Sequence, residues 1–327
     1  MKHQIIHNKP FQPKNIIIQT NVPLKDKNWF NTGGLARYFA APKTQEEFSQ
    51  AIAFANNHQL PIFILGHGAN ILISDEGFDG LVIQPHLQEI KIISSSKEHV
   101  LIKASAGTSM HNLIEYCLNH DVIGLEEFSG IPGTIGGSIY INLHYFEFLL
   151  EQFLMEATVI NRITLKIENV NREWFKFGYD QSVLQDEGYY LLNATFKLKK
   201  ATKIQTAYAQ GRRVEIIRHR QARYPSKNTC GSFFRNFFDH EVSLISNGKK
   251  VIWVAYYLDK LGVKGALKQG DAIISYQHAN MIVNQGNATS TDIINLAHMM
   301  QEMVKKEFDI IPQPECRLIG FKQNLLL

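Results

Sequence analysis

The sequence is poor in cysteine, and its cysteines are not spaced to hold a disulfide framework or a metal. Its 327 residues include three cysteines, and no two of them form a Cys-x-x-Cys pair. An odd count without paired spacing argues against a disulfide scaffold and a zinc site, and favours a reducing compartment. His67, His278 and His298 show no metal-ligand spacing with one another, so no metal is predicted.

Long hydrophobic runs and blocks of one charge are also lacking. The most apolar stretch, residues 139–160, is interrupted by one histidine and three glutamates and is too polar to cross a bilayer. The first twenty residues contain no apolar segment of secretory length. The formal net charge is +4, with Lys and Arg scattered among acids, which does not favour nucleic acid as a partner. We therefore expect a soluble, cytoplasmic protein, monomeric, with neither a membrane nor a nucleic-acid partner.

Apolar periodicity predicts a chain of mixed helices and strands. The predicted helices cover residues 44–61 with Thr44 as cap, 109–120 with Thr108 or Ser109, 207–225, and 290–310 with Ser290 or Thr291. The predicted strands are 62–65, 71–74, 81–84, 90–94, 100–105, a hairpin over 157–171, 189–201, 251–256 and 279–284. The order is not a clean βαβ alternation, so the predicted class is α+β.

Two glycine-rich segments match neither of the common nucleotide-binding patterns. GHGANI (66–71) lacks the third glycine of the Rossmann fingerprint and runs into a strand instead of a helix. SGIPGTIGGS (129–138) lacks the Lys-Ser/Thr of a P-loop. Two interpretations stay open for each segment: a tight turn, or a run of backbone N–H groups that cradles an anion.

Two polar residues, Ser232 and Glu315, have sequence neighbours that would suit a catalytic residue. Ser232 follows a glycine and precedes two phenylalanines in NTCGSFFRNF, without the Gly-x-Ser-x-Gly elbow of hydrolases. It is either a buried loop serine or a reactive hydroxyl. Glu315 lies between a proline and an apolar strand in PQPECRLIG. It is either a surface partner of Arg317 or a desolvated acid whose pKa is raised.

Taken in order, five segments resemble one enzyme family. The segments are NTGGLARYF…DGLVI (31–83), SGIPGTIGGSIYIN (129–142), YPSKNTCGSFFRNF (224–237), HANMIVN…KEFDI (278–310) and PECRLIG (314–320). Together they resemble the UDP-N-acetylenolpyruvoylglucosamine reductases, the MurB flavoenzymes, over residues 28–321. The resemblance implies an α+β fold with a two-subdomain FAD-binding region of the vanillyl-alcohol oxidase (PCMH) type and an α+β substrate-binding domain.

The resemblance also implies domain boundaries and a reaction. The boundaries are an N-terminal arm over residues 1–20, FAD-binding subdomains over 21–85 and 86–205, and a substrate-binding domain over 206–327. Residues 312–327 either end that domain or return to the FAD-binding region. In the implied reaction NADPH reduces FAD, and hydride then passes to the enol ether of UDP-N-acetylenolpyruvoylglucosamine, giving the peptidoglycan precursor UDP-N-acetylmuramate. The alternative is an FAD-binding paralogue with an altered substrate or lost reductase activity.

The family's site residues map onto the matching positions of this chain. Ser232 corresponds to the proton donor, and Glu315 to the glutamate that assists it. The implied FAD contacts are Leu65, Gly66, His67, Gly68, Ala69, Asn70, Ile71, Gly130, Ile131, Pro132, Gly133, Thr134, Gly136, Gly137, Ser138, Asn142 and Arg317. The implied contacts to the UDP-sugar substrate are Tyr179, Asn236 and Arg235, which replaces the family's lysine.

Two positions depart from the family pattern. Asp180 stands where the family has a catalytic arginine, and an anion near developing negative charge costs on the order of several kcal/mol if nothing compensates. Arg220 and Arg223 are candidates for a substitute cation; alternatively, Asp180 pairs with a local arginine. Residues 143–150 are bulky where the family has small ones, which predicts a changed wall beside the flavin or an added helix there.

Overall fold

The computed structural model describes residues 16–323 and 325–326. Most of the predicted arm over residues 1–20 lies outside this range. The first region consists of β1 (Gln19–Pro23), β2 (Leu35–Ala40), α1 (Gln45–Asn57), β3 (Ile62–Ile64), β4 (Ile71–Ile73) and β5 (Phe78–Ile83). Four of these strands form a sheet in the order β1-β2-β5-β3, antiparallel in the first pair and parallel in the others. Helix α1 begins as predicted, since Thr44 Oγ1 accepts a hydrogen bond from the Glu47 N–H at 3.1 Å.

The second region is built on a long antiparallel sheet. Its elements are β6 (Ile90–Ser95), β7 (His99–Ser105), α2 (Met110–Asn119), β8 (Val122–Ile123), α3 (Ile135–Tyr140), β9 (His144–Tyr145), β10 (Phe148–Leu149), β11 (Leu154–Asn161), β12 (Ile167–Asn171) and β13 (Tyr189–Lys200). The sheet order is β12-β11-β13-β7-β6, with β8 beside β13. The predicted hairpin is present as β11 and β12, and Ser109 is the cap of α2.

The bulky segment after Asn142 folds differently from one of the two predictions made for it. An added helix was one expectation, but residues 144–149 form the antiparallel hairpin β9–β10, followed by a single 3-10 turn over Leu150–Gln152. Phe146 adopts a left-handed φ of 51° between the two strands, which reverses the chain there. Because the residues on both sides of this turn are extended strands, they do not form a helix.

The third region carries the longest helices. Its elements are α4 (Lys203–Arg223), β14 (Ile245–Ser246), β15 (Lys249–Lys250), α5 (Val254–Lys260), β16 (Lys268–Gln269), β17 (Ala272–Ile274), β18 (Ile282–Asn284), α6 (Ser290–Phe308) and β19 (Arg317–Ile319). Strand β19 pairs in parallel with β4, which places Arg317 opposite Ile71. The end of the chain therefore lies beside the segment 66–70 of the first region.

Two local predictions in this region are wrong. Residues 254–260 form helix α5, not part of a strand over 251–256; Val254, Tyr257 and Leu258 are buried at helical spacing. A short apolar run fits a strand and a buried helix equally well by sequence. Helix α6 is capped by Thr289, not by Ser290 or Thr291, because Thr289 and Asp292 form a reciprocal capping box.

Ser290 has a different role from the cap that was predicted. Its hydroxyl and its N–H both donate to Asp75 Oδ2, at 2.8 and 2.7 Å. Asp75 belongs to the first region, so Ser290 joins the start of α6 to the loop after β4.

Candidate active site

A cavity of about 1060 Å³ collects residues from all three regions. Both glycine-rich segments line it, as do Ser232, Glu315 and Asp180. Every predicted FAD contact except Asn142 lines the cavity, and so do Tyr179 and Asn236 among the predicted substrate contacts. The fold thus brings together predicted site residues that are up to 252 positions apart in sequence, from Leu65 to Arg317.

The segment 66–70 lines this cavity and has backbone donors that the protein does not use. Within the described residues, none of its five N–H groups donates to a protein acceptor. Gly68 has a φ of 66°, and its carbonyl accepts from the Trp29 N–H at 3.0 Å, which fixes the turn. Burial lowers the pKa of the His67 imidazole, so the segment offers a neutral ring beside the donors. Consecutive free N–H groups form a concave site for an anion.

The segment 129–138 turns into a short helix that sequence reasoning missed. Thr134 caps α3 by accepting from the Gly137 N–H at 3.2 Å. Gly136 packs on β7: its N–H donates to Ala106 O at 2.8 Å, and an added Cβ would lie 3.2 Å from that oxygen. A Cβ on Gly66 would lie 2.7 Å from Thr134 Oγ1, so the two glycine-rich segments meet. A Cβ at position 66 or 136 would crowd these neighbours, so packing favours glycine at both positions.

Ser232 and Glu315 reach the same wall through backbone pairing. The Glu315 N–H donates to Phe233 O at 2.9 Å, and Phe234 bridges to Pro314. Burial raises the pKa of Glu315 well above its ordinary value, and the negative charge of Asp180 adds to the shift. Glu315 therefore keeps its proton at pH values at which an exposed glutamate would have lost it.

Asn280 holds this wall in place, and no motif in the sequence singled it out. Its side chain accepts from the Phe234 N–H at 3.1 Å and donates to Phe234 O at 2.7 Å. Its backbone carbonyl accepts from the Phe233 N–H at 2.8 Å. A buried asparagine with three hydrogen bonds to the two residues after Ser232 fixes the path of that loop.

Asp180 is mostly buried beside a histidine. Its Oδ1 lies 3.4 Å from Nδ1 of His144, an ion-pair distance, and neither carboxylate oxygen accepts a hydrogen bond within the described residues. Burial raises the pKa of Asp180, and the nearby His144 and Arg235 oppose that shift. Asp180 also has a left-handed φ of 53°. Asp180 thus faces a histidine from the β9–β10 hairpin, where an arginine was one expectation.

The two arginines considered as substitute cations line the cavity without a carboxylate partner in the described chain. Arg220 Nε donates to Gly130 O at 3.2 Å, and its guanidinium lies over the rings of Tyr145 and Tyr224, at 5.5 and 5.1 Å. Arg223 lies over Tyr224 at 5.9 Å. Neither forms an ion pair with Asp180. Arg220 instead ties α4 to the segment 129–138.

Two predicted contacts, Arg235 and Asn142, do not line the cavity. Arg235 forms a bidentate ion pair with Glu241, both contacts at 2.7 Å, and its guanidinium lies over the Phe238 ring at 4.3 Å. The Asn142 amide donates to Glu151 Oε1 at 3.0 Å and to Gly178 O at 3.2 Å.

Arg317 does line the cavity, with its guanidinium 4.6 Å from the Tyr140 ring and its backbone N–H donating to Asn70 O.

The fold and this cavity define an FAD-binding protein. Residues 36–161 match the model of an FAD binding domain. Residues 223–319 match the C-terminal domain of UDP-N-acetylenolpyruvoylglucosamine reductase. Among the helices of the described residues, none is long and apolar enough to span a bilayer.

Relatives over nearly the whole length identify the family. The chain is 33% identical to the UDP-N-acetylenolpyruvoylglucosamine reductase of Lactobacillus acidophilus over 95% of its own length and 97% of the relative's. Identity to the Listeria monocytogenes reductase is 31%, over 94% and 96%. The crystal structure of MurB from Thermus caldophilus superimposes with a TM-score of 0.73 at 26% identity, covering 94% of this chain and 99% of that one. The chain belongs to the UDP-N-acetylenolpyruvoylglucosamine reductase (MurB) family. The predictions of family, fold class and an FAD-dependent enzyme are confirmed.

The residues present fit a dinucleotide such as FAD. The five free N–H groups of residues 66–70 are donors of the kind that a diphosphate requires. Asn70 Oδ1 is buried and accepts no hydrogen bond from the described residues, so it is available to a ligand donor. A volume of about 1060 Å³ exceeds the usual upper range of about 1,000 Å³ for small-molecule sites.

Proposed function

We propose that this chain reduces UDP-N-acetylenolpyruvoylglucosamine to UDP-N-acetylmuramate with NADPH as the electron donor. The observation that carries the proposal is the placement of Ser232 and a proton-retaining Glu315 on the wall of the cavity that both glycine-rich segments line. The names of the full-length relatives favour this reaction over that of a paralogue with another substrate. When bound, FAD supplies the hydride that it has taken from NADPH.

We assign roles to Ser232 and Glu315 from the proton that each can donate. Hydride addition to an enol ether leaves negative charge on the carbon next to the carboxylate, and that carbon must then receive a proton. Ser232 is proposed as the donor of this proton. Glu315, kept neutral by burial, donates a hydrogen bond to the charge as it develops. Tyr179 and Asn236, which line the same cavity, are proposed to contact the substrate.

The segments 66–70 and 129–138 are proposed to hold the FAD diphosphate and the flavin. We also propose the domain division at residues 20, 85 and 205, with a UDP-sugar as the ligand of the third region. A cytoplasmic location and a monomeric state are further parts of the proposal. Strand β19, paired with β4, favours a return of the last residues to the FAD-binding region.

Separating the two half-reactions tests the role of Ser232. In the Ser232→Ala variant we expect NADPH to reduce the flavin at the wild-type rate, because Ser232 takes no part in that step. Reoxidation by the enol ether should slow by roughly 10²- to 10⁴-fold, the usual contribution of a positioned acid. Ser94→Ala, on an exposed position of β6, is the matched control. Reoxidation of the Ser232→Ala enzyme at the wild-type rate would reject the assignment.

A further inference from the structure

Two of the three cysteines meet beside the proposed catalytic residues. All three cysteines of the sequence lie in the described part of the chain, and each is a buried, free thiol. Cys230 and Cys316 belong to one hydrophobic core, whereas Cys117 lies in another. The thiols of Cys230 and Cys316 are direct neighbours in that core and interact with each other. Because the two residues are 86 positions apart in sequence, only the fold brings them together.

The backbone places each of these thiols next to a residue of the proposed reaction. Cys230 precedes Ser232 by two positions, and its Sγ lies 4.0 Å from the Ser232 carbonyl oxygen. Cys316 directly follows Glu315, and the N–H groups of Cys316 and Glu315 both donate to Phe233 O, at 3.1 and 2.9 Å. The thiol pair therefore joins the loop that carries Ser232 to the segment that carries Glu315.

The two thiols differ in their access to the cavity. Cys230 lines it, whereas Cys316 is not among the described residues that form its wall. A small, neutral oxidant that enters the cavity therefore meets Cys230 first. The thiolate is the form of cysteine that reacts with an oxidant, and burial raises the pKa of Cys230 well above its ordinary value, with the Cys316 thiol adding to the shift. Oxidation of Cys230 is therefore slow and requires an excess of oxidant.

We propose that Cys230 and Cys316 form a peroxide-sensitive dithiol, in which Cys230 is oxidised first and Cys316 then closes a disulfide that shifts Ser232 relative to Glu315. The chemical step does not depend on the proposed reaction. Its effect on turnover rests on the proposed function, because it acts through the two residues assigned there.

Hydrogen peroxide accounts for every atom and electron of this step. The Cys230 thiolate attacks peroxide, so that an S–O bond forms, the O–O bond breaks, and the released hydroxide takes up the thiol proton as water. The Cys316 thiolate then attacks the sulfur of the Cys230 sulfenic acid, so that the S–S bond forms, the S–O bond breaks, and the leaving hydroxide takes up the second thiol proton. Two thiols thus lose two electrons and two protons, and one peroxide gives two waters.

The disulfide would disturb the wall that holds the reacting groups. It holds its sulfur atoms about 2.05 Å apart, much closer than two unbonded sulfur atoms can approach. Ser232 and Glu315 lie within two residues of the two sulfurs, so closing this gap moves one relative to the other. A misplacement of about 1 Å costs on the order of 10²-fold in rate.

Thiol counting and peptide mapping test the chemical step without any substrate. After the FAD-loaded enzyme has been exposed to excess hydrogen peroxide, we expect one free thiol in the denatured protein where the untreated protein has three. A trypsin digest prepared without reductant should contain the peptide of residues 228–235 joined to the peptide of residues 307–317. Cys117→Ala is the matched control and should form the same linked peptides. Cys316→Ser should instead accumulate a sulfinic acid on Cys230, which dithiothreitol does not reverse.

The effect on the site is measured in the second half-reaction. After peroxide treatment and removal of the peroxide, reoxidation of the NADPH-reduced flavin by the enol ether should be roughly 10- to 100-fold slower per bound flavin. Dithiothreitol should restore the untreated rate, because it reopens the disulfide.

Three results would overturn the inference. They are three free thiols after treatment, a wild-type protein with a sulfinic acid on Cys230 and a free thiol on Cys316, and a linked peptide in an enzyme that still reoxidises at the untreated rate. If Cys316→Ser does not fold, the linked peptide of the wild type decides. An untreated enzyme whose reduced flavin is not reoxidised by the enol ether contradicts the proposed function, and the peptide map then decides on the dithiol alone.

Discussion

Replacing Gly68 by alanine tests the cradle formed by residues 66–70. A Cβ built on Gly68 would lie 2.6 Å from Asn28 Cα, 2.6 Å from Lys27 O and 2.8 Å from Asn28 Cβ. Asn28 cannot yield easily, because its buried amide donates to Leu24 O and Thr32 O at 2.8 and 2.7 Å. Gly68 also has a φ of 66°, which costs a residue with a Cβ about 1–2 kcal/mol. Overpacking adds about 1–3 kcal/mol.

The expected destabilisation of Gly68→Ala is therefore about 2–5 kcal/mol. Because the segment must shift to admit the methyl group, its free N–H groups also move, and FAD affinity should fall together with stability. Urea unfolding followed by circular dichroism gives the first quantity, and titration of the apoprotein with FAD gives the second. Gly211→Ala is the control. Apart from its chain neighbours and the backbone of its own helix, no atom of the described residues lies within 4 Å of an added Cβ, and in helix α4 it should stabilise by about 0.5–1 kcal/mol. A Gly68→Ala protein that is as stable as the wild type and binds FAD as tightly would refute the reasoning.

Three further predictions concern stability. Burial lowers the pKa of His278 to about 4 from an ordinary 6.5, so the unfolded chain takes up the proton first and stability falls as pH drops between these values. His278→Gln should reduce the loss between pH 7 and pH 5, which is at most about 2 kcal/mol, in urea titrations at the two values. Arg235→Gln leaves Glu241 unpaired and should lower the free energy of unfolding by about 1 kcal/mol. Adding Glu241→Gln in the double variant should recover part of this loss, and additive losses would contradict the pairing. Thr289→Ala should cost about 0.5–2 kcal/mol in thermal melts, whereas Thr291→Ala should not; equal effects would contradict the cap.

What could be predicted from the sequence was local in the chain. For α1, the cap Thr44 and its partner Glu47 are three residues apart. The buried Phe48, Ile52 and Ala55 follow at helical spacing, so every signal for this helix lies within one short segment. The same holds for α6, in which the apolar residues that recur at helical spacing are buried: Ile293, Leu296, Ala297, Met300 and Val304. The composition of the glycine-rich segments leaves a tight turn and an anion cradle open, and their assignment to a cofactor rests on resemblance to a family.

What could not be predicted depends on contacts between distant segments. His144 and Asp180 are 36 positions apart, and nothing in either segment indicates the other. Asn280 holds the loop after Ser232, although it lies 46 positions from Phe234, its hydrogen-bond partner there. The predicted cap of α6, Ser290 or Thr291, lies one or two residues after the observed cap, Thr289. Ser290 and Thr291 are equally good caps by residue type, and only the bond of Ser290 to Asp75 shows that Ser290 is engaged elsewhere.

The most direct test of the account is an anaerobic turnover with the wild-type protein. We expect the purified enzyme to carry FAD, to lose the absorbance of oxidised flavin on addition of NADPH, and to regain it on addition of UDP-N-acetylenolpyruvoylglucosamine, with UDP-N-acetylmuramate as the product. Flavin that NADPH reduces but that the enol ether leaves reduced would contradict the account.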